Sequence, residues 1–191
     1  LVGSEMCIRD SQLLRLISDI LDLSKIESNT MEFCFGDQSL HTLLSDIYQS
    51  QLLTMPPQVE LRLELPQADT TIRTDASRLK QVINNLINNA AKFTDRGSIT
   101  FGYRTDEGAG EVELFVRDTG KGISQEHVGR IFERFYKTDL SRGKDKKGSG
   151  LGLSIVKEII QAHDENINVI STEGVGTEFI FTLPAAQREE L

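Results

Sequence analysis

Cysteine is nearly missing from the sequence: Cys7 and Cys34 are the two present, without metal or redox spacing and too few for a disulfide framework. A reducing compartment is the expectation. Positive charge is also scarce, with 21 Lys and Arg against 29 Asp and Glu, a net charge of −8 and a pI near 5.0. No general basic field exists to hold nucleic acid or an anionic membrane, which argues against a nucleic-acid partner. No apolar run approaches the ~20 residues of a membrane helix and no signal peptide is visible. The chain is therefore expected in the cytoplasm, with any membrane segment upstream of Leu1. What 191 residues with 38% hydrophobic content do allow is one good core and a small appendage.

The most organised stretch is DASRLKQVINNLINNAAKFT (75–94). Leu79, Val82, Ile83, Leu86, Ile87 and Ala90 recur three and four apart, the spacing of one buried helical face. Asn84, Asn85, Asn88 and Asn89 lie in the same helix, although asparagine is a poor interior helix former. Asn85 and Asn89 stack one turn apart beside the apolar face, and Arg78 and Lys92 continue that flank. Taken alone, such a stripe reads more readily as solvated surface than as a site.

Residues 1–10 share no periodicity with the residues after them and read as a non-native, adapter-derived extension, set aside from the fold. SQLLRLISDILDLSKIES then carries apolar residues at near-heptad spacing, more than one exposed helix accommodates. It asks for partner helices in a bundle; an amphipathic helix lying on the following domain is the alternative. Next come a strand over 31–37, a helix over 40–54 with Ser39 as its cap, a stop at Met55-Pro56-Pro57, and strands over 59–65 and 71–74. Asp75 caps the asparagine helix. A hairpin over 98–105 and 111–118, a lid-like segment over 119–149, a helix over 151–163 and a second hairpin over 167–172 and 177–184 complete the order. The tail 185–191 is polar. This order predicts an α+β fold, a two-layer sandwich of helices on one face of a mixed, mostly antiparallel sheet.

Asp118-Thr119-Gly120-Lys121-Gly122-Ile123 puts a carboxylate at a strand end and two glycines in the turn after it. An aspartate there can accept from an exocyclic amine, and the glycines let backbone approach a flat ring, so an adenine pocket is one reading and a plain turn the other. Gly148-Ser149-Gly150-Leu151-Gly152-Leu153 opens a helix with bare amides suited to polyphosphate, or serves as a hinge. It is neither a GxxxxGK[ST] loop nor a GxGxxG fingerprint. Between them, IFERFYKTDLSRGKDKK has apolar anchors and a basic remainder. Lys137 and Arg142 are candidates to meet phosphate, whereas Lys144, Lys146 and Lys147 read as solvated.

Together these stretches resemble the catalytic and ATP-binding domain of a sensor histidine kinase. NLINNAAKFT resembles the family's N box, DTGKGI its first glycine box, FERF its F box, GSGLGLSIV its second glycine box and GVGTEF a late glycine-threonine turn. SQLLRLISDILDLSKIES resembles the second helix of the dimerisation and phosphotransfer bundle. The domains implied are this helix over 11–29 and an ATP-binding unit over 30–184.

The resemblance implies roles residue by residue. Asn89 would coordinate Mg²⁺, with Asn85 assisting near the phosphates and Lys92 contacting phosphate. Phe93, Ile123, Gly120 and Gly122 would shape the nucleotide pocket, and Asp118 would read the adenine amine with help from Thr177 through water. Lys137 and Arg142 would reach phosphates from the lid. Gly148, Gly150, Leu151, Gly152 and Leu153 would form the phosphate-side loop. Gyrase- and chaperone-type relatives of this fold carry a glutamate where Asn85 stands. Amide in place of carboxylate removes the base for water attack and favours γ-phosphoryl transfer to a supplied nucleophile.

That nucleophile is expected on a bundle helix. His41, His127 and His163 lie in no sequence resembling HEIRTPL and are assigned structural roles. The chain is thus expected to be a fragment that binds Mg·ATP without phosphorylating itself. Its implied partners are ATP and a response regulator receiver domain, with homodimerisation through the bundle and any membrane attachment through upstream segments. A nucleotide-dependent interaction module and an ATP hydrolase are the alternatives. Where relatives have Gly-Gly after the histidine, Asp164-Glu165 stand here, and aspartate tolerates the left-handed conformation better than most residues.

Overall fold

The computed structural model describes residues 2–28, 30–106, 110–137 and 149–186. Its elements in chain order are α1 (Val2–Glu27), β1 (Gly36–Ser39), α2 (Leu40–Leu52), β2 (Val59–Glu64), β3 (Thr71–Thr74) and α3 (Ala76–Phe93). Then come β4 (Gly97–Asp106), β5 (Glu111–Asp118), α4 (Gln125–Val128), α5 (Gly152–Gln161), β6 (Ile167–Thr172) and β7 (Gly176–Pro184).

Five strands form one sheet in the order β2-β4-β5-β7-β6, with β2 and β4 parallel and the other neighbours antiparallel. The α+β expectation of helices over a mixed, mostly antiparallel sheet holds. Strand alternation sends Phe101, Leu114, Val116, Phe179 and Phe181 into one core with Leu44 and Ile47 of α2, the apolar stripe of α3, and Ile155, Val156 and Ile159 of α5. Phe115 has the opposite parity and is covered by the Arg104 guanidinium, 4.3 Å from its ring centre.

Two local expectations are corrected. The strand expected over 31–37 forms at Gly36–Ser39 instead, because Phe33 and Phe35 stack on each other at 5.7 Å and against His163 rather than alternating across a sheet. Residues 59–65 and 71–74 read as successive strands but do not pair with each other. β2 joins β4, while β3 pairs with β1 in a separate two-stranded sheet.

The stripe of α3 is buried along its whole length, from Leu79 at 1% exposure to Ala90 at 5%. Each large side chain in it contributes roughly 1.5–3 kcal/mol of hydrophobic stabilisation. The helix starts at Asp75, whose Oδ1 accepts the Ser77 and Arg78 amides at 2.9 and 3.1 Å. Its Oδ2 accepts the Cys34 amide at 2.9 Å, so one carboxylate caps the helix and holds the segment after α1. At the other end of the core, Asp164 takes a φ of 60°, and the bonds Glu165 N–H to Ile160 O and Asp164 N–H to Gln161 O close α5 in a Schellman pattern.

Helix α1 runs back through residues that share none of the periodicity starting at Ser11. It docks by one edge: Leu23 enters the core, buried Asp22 accepts from Arg78 at 3.1 Å and Gln81 at 2.7 Å, and Asp19 accepts from Ser149 at 3.1 Å. Arg134 ties Glu27 of α1 to Glu158 of α5. Leu13, Leu14, Ile17, Ile20 and Leu21 on the remaining surface of α1 are exposed. No helix among the described residues is long and apolar enough to cross a membrane.

Replacing Asp75 by Ala should cost about 1–2 kcal/mol in urea unfolding, with Asn recovering most of the loss. Burial works against the Asp75 charge, but the amides of Cys34, Arg78 and Ser77 and the Ser77 hydroxyl outweigh it and hold the carboxyl below its ordinary value of 3.8. Its folded-state value is the lower one, so its stabilisation is present above 3.8 and lost as pH falls through that lower value. The Ala variant should therefore converge with the parent chain only in strong acid.

Candidate functional site

The cleft lies where α3, the loop after β5 and the β6–β7 turn meet. Burial of its apolar stripe fixes the rotation of α3, leaving Asn85 and Asn89 half-buried one turn apart and Lys92 exposed. At the end of that helix the Phe93 carbonyl accepts the Lys121 amide at 3.0 Å, and the Lys121 carbonyl accepts the Gly174 amide at 2.7 Å. The loop after β5 is thereby stitched to α3 on one side and to the β6–β7 turn on the other. Gly122 sits between them at a φ of 66°, where a Cβ would lie 2.0 Å from the Thr172 carbonyl oxygen. Only glycine fits there.

Asp118 and Thr177 are register partners at the end of the β5–β7 ladder, and both are more than nine-tenths buried. Burial pushes the Asp118 carboxyl above its ordinary value; the amides of Gly120, at 2.8 Å, and Thr177 offset only part of that. Ser171 organises the neighbouring side. Its hydroxyl donates to the Gly176 carbonyl at 3.0 Å, accepts the Ile123 amide at 2.8 Å and lies 2.9 Å from the Thr177 hydroxyl. With its own proton committed to Gly176, Ser171 takes the Thr177 proton, so Thr177 keeps lone pairs for a donor in the cleft. A buried carboxylate and a hydroxyl acceptor side by side are suited to an amine-bearing ring.

The cleft has a volume of about 350 Å³, within the range of small-molecule sites. Asn89, Phe93, Asp118, Gly122, Ile123, Lys137, Leu153 and Thr177 all line it, as the sequence anticipates. Gly120 supplies the amide held by Asp118, and Leu151 is buried in the hydrophobic core rather than lining the cleft. Gly152 begins α5 beside Asn85, its missing Cβ 3.9 Å from the Asn85 amide carbon, and the Gly150 carbonyl accepts the Phe135 amide at 3.0 Å. Asn85 and Lys92 are not among the lining residues. Arg142, Gly148, Lys144, Lys146 and Lys147 lie outside the described residues. Among the described residues, no three His, Cys, Asp or Glu side chains group to hold a metal ion.

Sequence reasoning missed Ser171, whose signal was present: in INVIST it occupies the inward parity set by Ile167 and Val169, where a hydroxyl must find partners. It also assigned His127 a purely structural role, yet His127 lines the cleft together with Tyr136. The other two histidines are structural. His163 bonds Thr74 at 3.0 Å and the Ile159 carbonyl at 2.8 Å, and His41 packs against Tyr103.

Residues 74–187 match the family model described as histidine kinase-, DNA gyrase B- and HSP90-like ATPase. The chain is 35% identical over 180 residues to the sensor histidine kinase WalK of Bacillus subtilis, covering 94% of this chain and 30% of WalK. It is 37% identical to the sensor histidine kinase RcsC of Escherichia coli K12, covering 91% of this chain and 18% of RcsC. The chain thus spans less than a third of these relatives. Among solved structures, full-length ShkA in complex with AMPPNP superposes with a TM-score of 0.83 at 30% identity, over 96% of this chain and 38% of ShkA. A catalytic domain of the histidine kinase ThkA superposes with a TM-score of 0.64 at 30% identity, over 81% of this chain and 98% of that domain.

Asp118 carries a stability cost that its surroundings make testable. Its folded-state value is raised, so it favours the folded chain least once pH has risen from 3.8 through that value. Asp118→Asn should raise the thermal midpoint at neutral pH by a few degrees, corresponding to about 1 kcal/mol. Below pH 3.8 the gain should vanish, a comparison made by calorimetry across pH.

Proposed function

Because the chain belongs to the histidine kinase-, DNA gyrase B- and HSP90-like ATPase family, we propose that it is the ATP-binding catalytic unit of a two-component sensor histidine kinase. On this reading the γ-phosphoryl group of ATP passes to a bundle histidine elsewhere in the full-length protein and then to an aspartate of a response regulator receiver domain. The observation that carries it is convergence: Asn89, Asp118 with Ile123, Leu153 and Thr177 come from four separate stretches of the chain and line one cleft.

Each side chain then has a chemical task. Asp118 accepts the exocyclic amine of adenine, and Thr177 offers a second acceptor directly or through water. Phe93, Ile123 and Leu153 give the base an apolar enclosure. Lys137 approaches the phosphates from the F-box side as a point charge. Asn85, Lys92, Gly150 and Gly152 contribute at the phosphate end, where the amides opening α5 favour an anion. Arg142 and Gly148 belong to the same proposal.

The residues present fit Mg²⁺ only as a metal that arrives with the nucleotide. Asn89 gives one neutral amide oxygen at the cleft and no acidic cluster accompanies it among the described residues, whereas Mg²⁺ prefers oxygen ligands and shares them readily with phosphates and water. When bound, the cation would neutralise phosphate charge. Position 85 sets the reaction class: an asparagine there cannot take a proton from water, so hydrolysis is disfavoured and transfer to a supplied nucleophile is favoured.

The domain organisation is part of the same proposal. Residues 30–184 are the nucleotide-binding unit, and residues 11–29 belong to a bundle through which the full-length protein dimerises. Residues 1–10 remain a non-native extension and 185–191 a polar tail. The unit works in the cytoplasm, and any membrane attachment comes from other segments.

Three measurements test this function. Mixing the chain with Mg·[γ-³²P]ATP and a histidine-bearing bundle from a close relative should label that histidine; tight nucleotide binding with no label on it would indicate a binding module instead. Steady phosphate release that survives Asn85→Ala would indicate a hydrolase. Asn89→Asp should weaken ATP at least tenfold while leaving adenosine within about twofold, by calorimetry, because only phosphate geometry is disturbed. Equal losses for both ligands would show that Asn89 does not serve the phosphates.

A further inference from the structure

Thr94, the residue that ends α3, is 2% exposed, and its Oγ1 is buried without a hydrogen-bond partner among the described residues. Buried polar atoms nearly always find a partner, because an unpaired one keeps the full cost of leaving water. The rotation of the side chain follows from its two glycine neighbours. A Cβ on Gly97 would lie 3.7 Å from the Thr94 methyl group, whereas one on Gly120 would lie 2.7 Å from Oγ1, so the hydroxyl faces Gly120.

Two further oxygens converge on the same point. A Cβ on Gly120 would also lie 2.4 Å from the Phe93 carbonyl oxygen and 2.9 Å from Asp118 Oδ1. Gly120 is not among the glycines with a positive φ, so its backbone conformation admits a side chain; what excludes one is the group of oxygens. Glycine here keeps a space clear rather than permitting a turn. The Phe93 carbonyl already accepts the Lys121 amide at 3.0 Å, and Asp118 Oδ1 accepts the Gly120 amide at 2.8 Å. Each retains a lone pair for a second donor.

We propose that Thr94 Oγ1, the Phe93 carbonyl and Asp118 Oδ1 hold one buried water behind the Asp118 carboxylate, with Thr94 as a positioning residue for Asp118. The protons balance. The Thr94 hydroxyl donates to the water, which donates its own two protons to the Phe93 carbonyl and to Oδ1, giving the three bonds typical of a buried water. The water adds a donor to a carboxylate that burial pushes above its ordinary value and that the amides of Gly120 and Thr177 support only in part. It therefore helps to keep Asp118 ionised and oriented, an acceptor toward the cleft. The charged and titratable groups that line the same cleft are Lys121, Glu126, His127, Lys137 and Glu173, with Lys121 paired to Asp95 at 3.0 Å. The balance at Asp118 is set by burial and the two amides rather than by any of these.

The test compares two variants of the whole chain: Thr94→Val, which keeps the shape and removes the hydroxyl, and Thr94→Ser, which keeps the hydroxyl. Crystals of the parent chain and of the serine variant should show one ordered water joined to Asp118 Oδ1 and the Phe93 carbonyl, and the valine variant should lose it. Without any ligand, NMR of the Asp118 carboxyl carbon should show it titrating at a higher pH in Thr94→Val than in the parent chain, and unchanged in Thr94→Ser. A parent crystal lacking that water would overturn the proposal. So would a raised thermal midpoint in Thr94→Val with Asp118 titrating as before, which is the result for a hydroxyl that had no partner to lose. A lowered midpoint with unchanged titration would make Thr94 merely structural. The consequence for binding rests on the ATP reading of the site: by calorimetry, Thr94→Val should weaken adenosine and Mg·ATP alike, by about three- to tenfold. A loss confined to Mg·ATP would tie Thr94 to the phosphates and overturn its link to Asp118. Failure of the unmodified chain to bind either ligand would refute the ATP reading alone, since the crystals and the ligand-free titration judge the water independently.

Discussion

Everything in the site depends on the burial of one face of α3. Six apolar residues, Leu79 to Ala90, sit against the core at 5% exposure or less, and this fixes the helix about its own axis. A helix pinned that firmly cannot choose where its remaining faces point. Asn89 reaches the cleft because Leu86 and Ala90 are where they are, and Asn85 comes to rest beside Gly152 for the same reason. The placement of a functional amide is thus a consequence of hydrophobic packing rather than of any attraction between the amide and the cleft.

The second determinant is the junction of β5 and β7. A strand ladder is a rigid way to place two side chains together, and register makes Asp118 and Thr177 neighbours at its end. The cost is visible in Asp118, whose carboxyl is raised by burial because its two amide donors do not replace the lost water. A group held uncomfortably in the resting protein is a group that gains from a partner, and an amine donor in the cleft is such a partner. Stability and recognition pull against each other at this one residue.

The fold was legible in the sequence to the extent that periodicity carried it. The stripe of α3, the alternation in EVELFVRD and TEFIFTLP, and the caps at Ser39 and Asp75 each declare an element and its buried face. Most of the cleft was legible too, since the DTGKGI and GLGL stretches carry their glycines openly. Pairing was not. Nothing in VELRLEL says that its partner is a parallel strand beyond a whole helix, and Phe33 and Phe35 read as strand because their preference for His163 depends on a residue 130 positions from Phe33. His127 escaped for a similar reason. It sits on a helix of one turn with no apolar pattern, and its significance lies in Tyr136, which only the folded chain brings within 2.6 Å.

The carboxylate of Asp75 serves two masters, the first turn of α3 and the Cys34 amide in the segment after α1. Sharing one acceptor makes the two ends of that arrangement thermodynamically linked, and linkage is reciprocal. A shift in the 30–35 segment that lengthens the Cys34 bond alters how well α3 is capped, and a change that tightens or loosens α3 alters the free energy of holding that segment in place. The segment that follows α1 and the helix that carries Asn85 and Asn89 therefore meet at a single side chain, the cap of that helix.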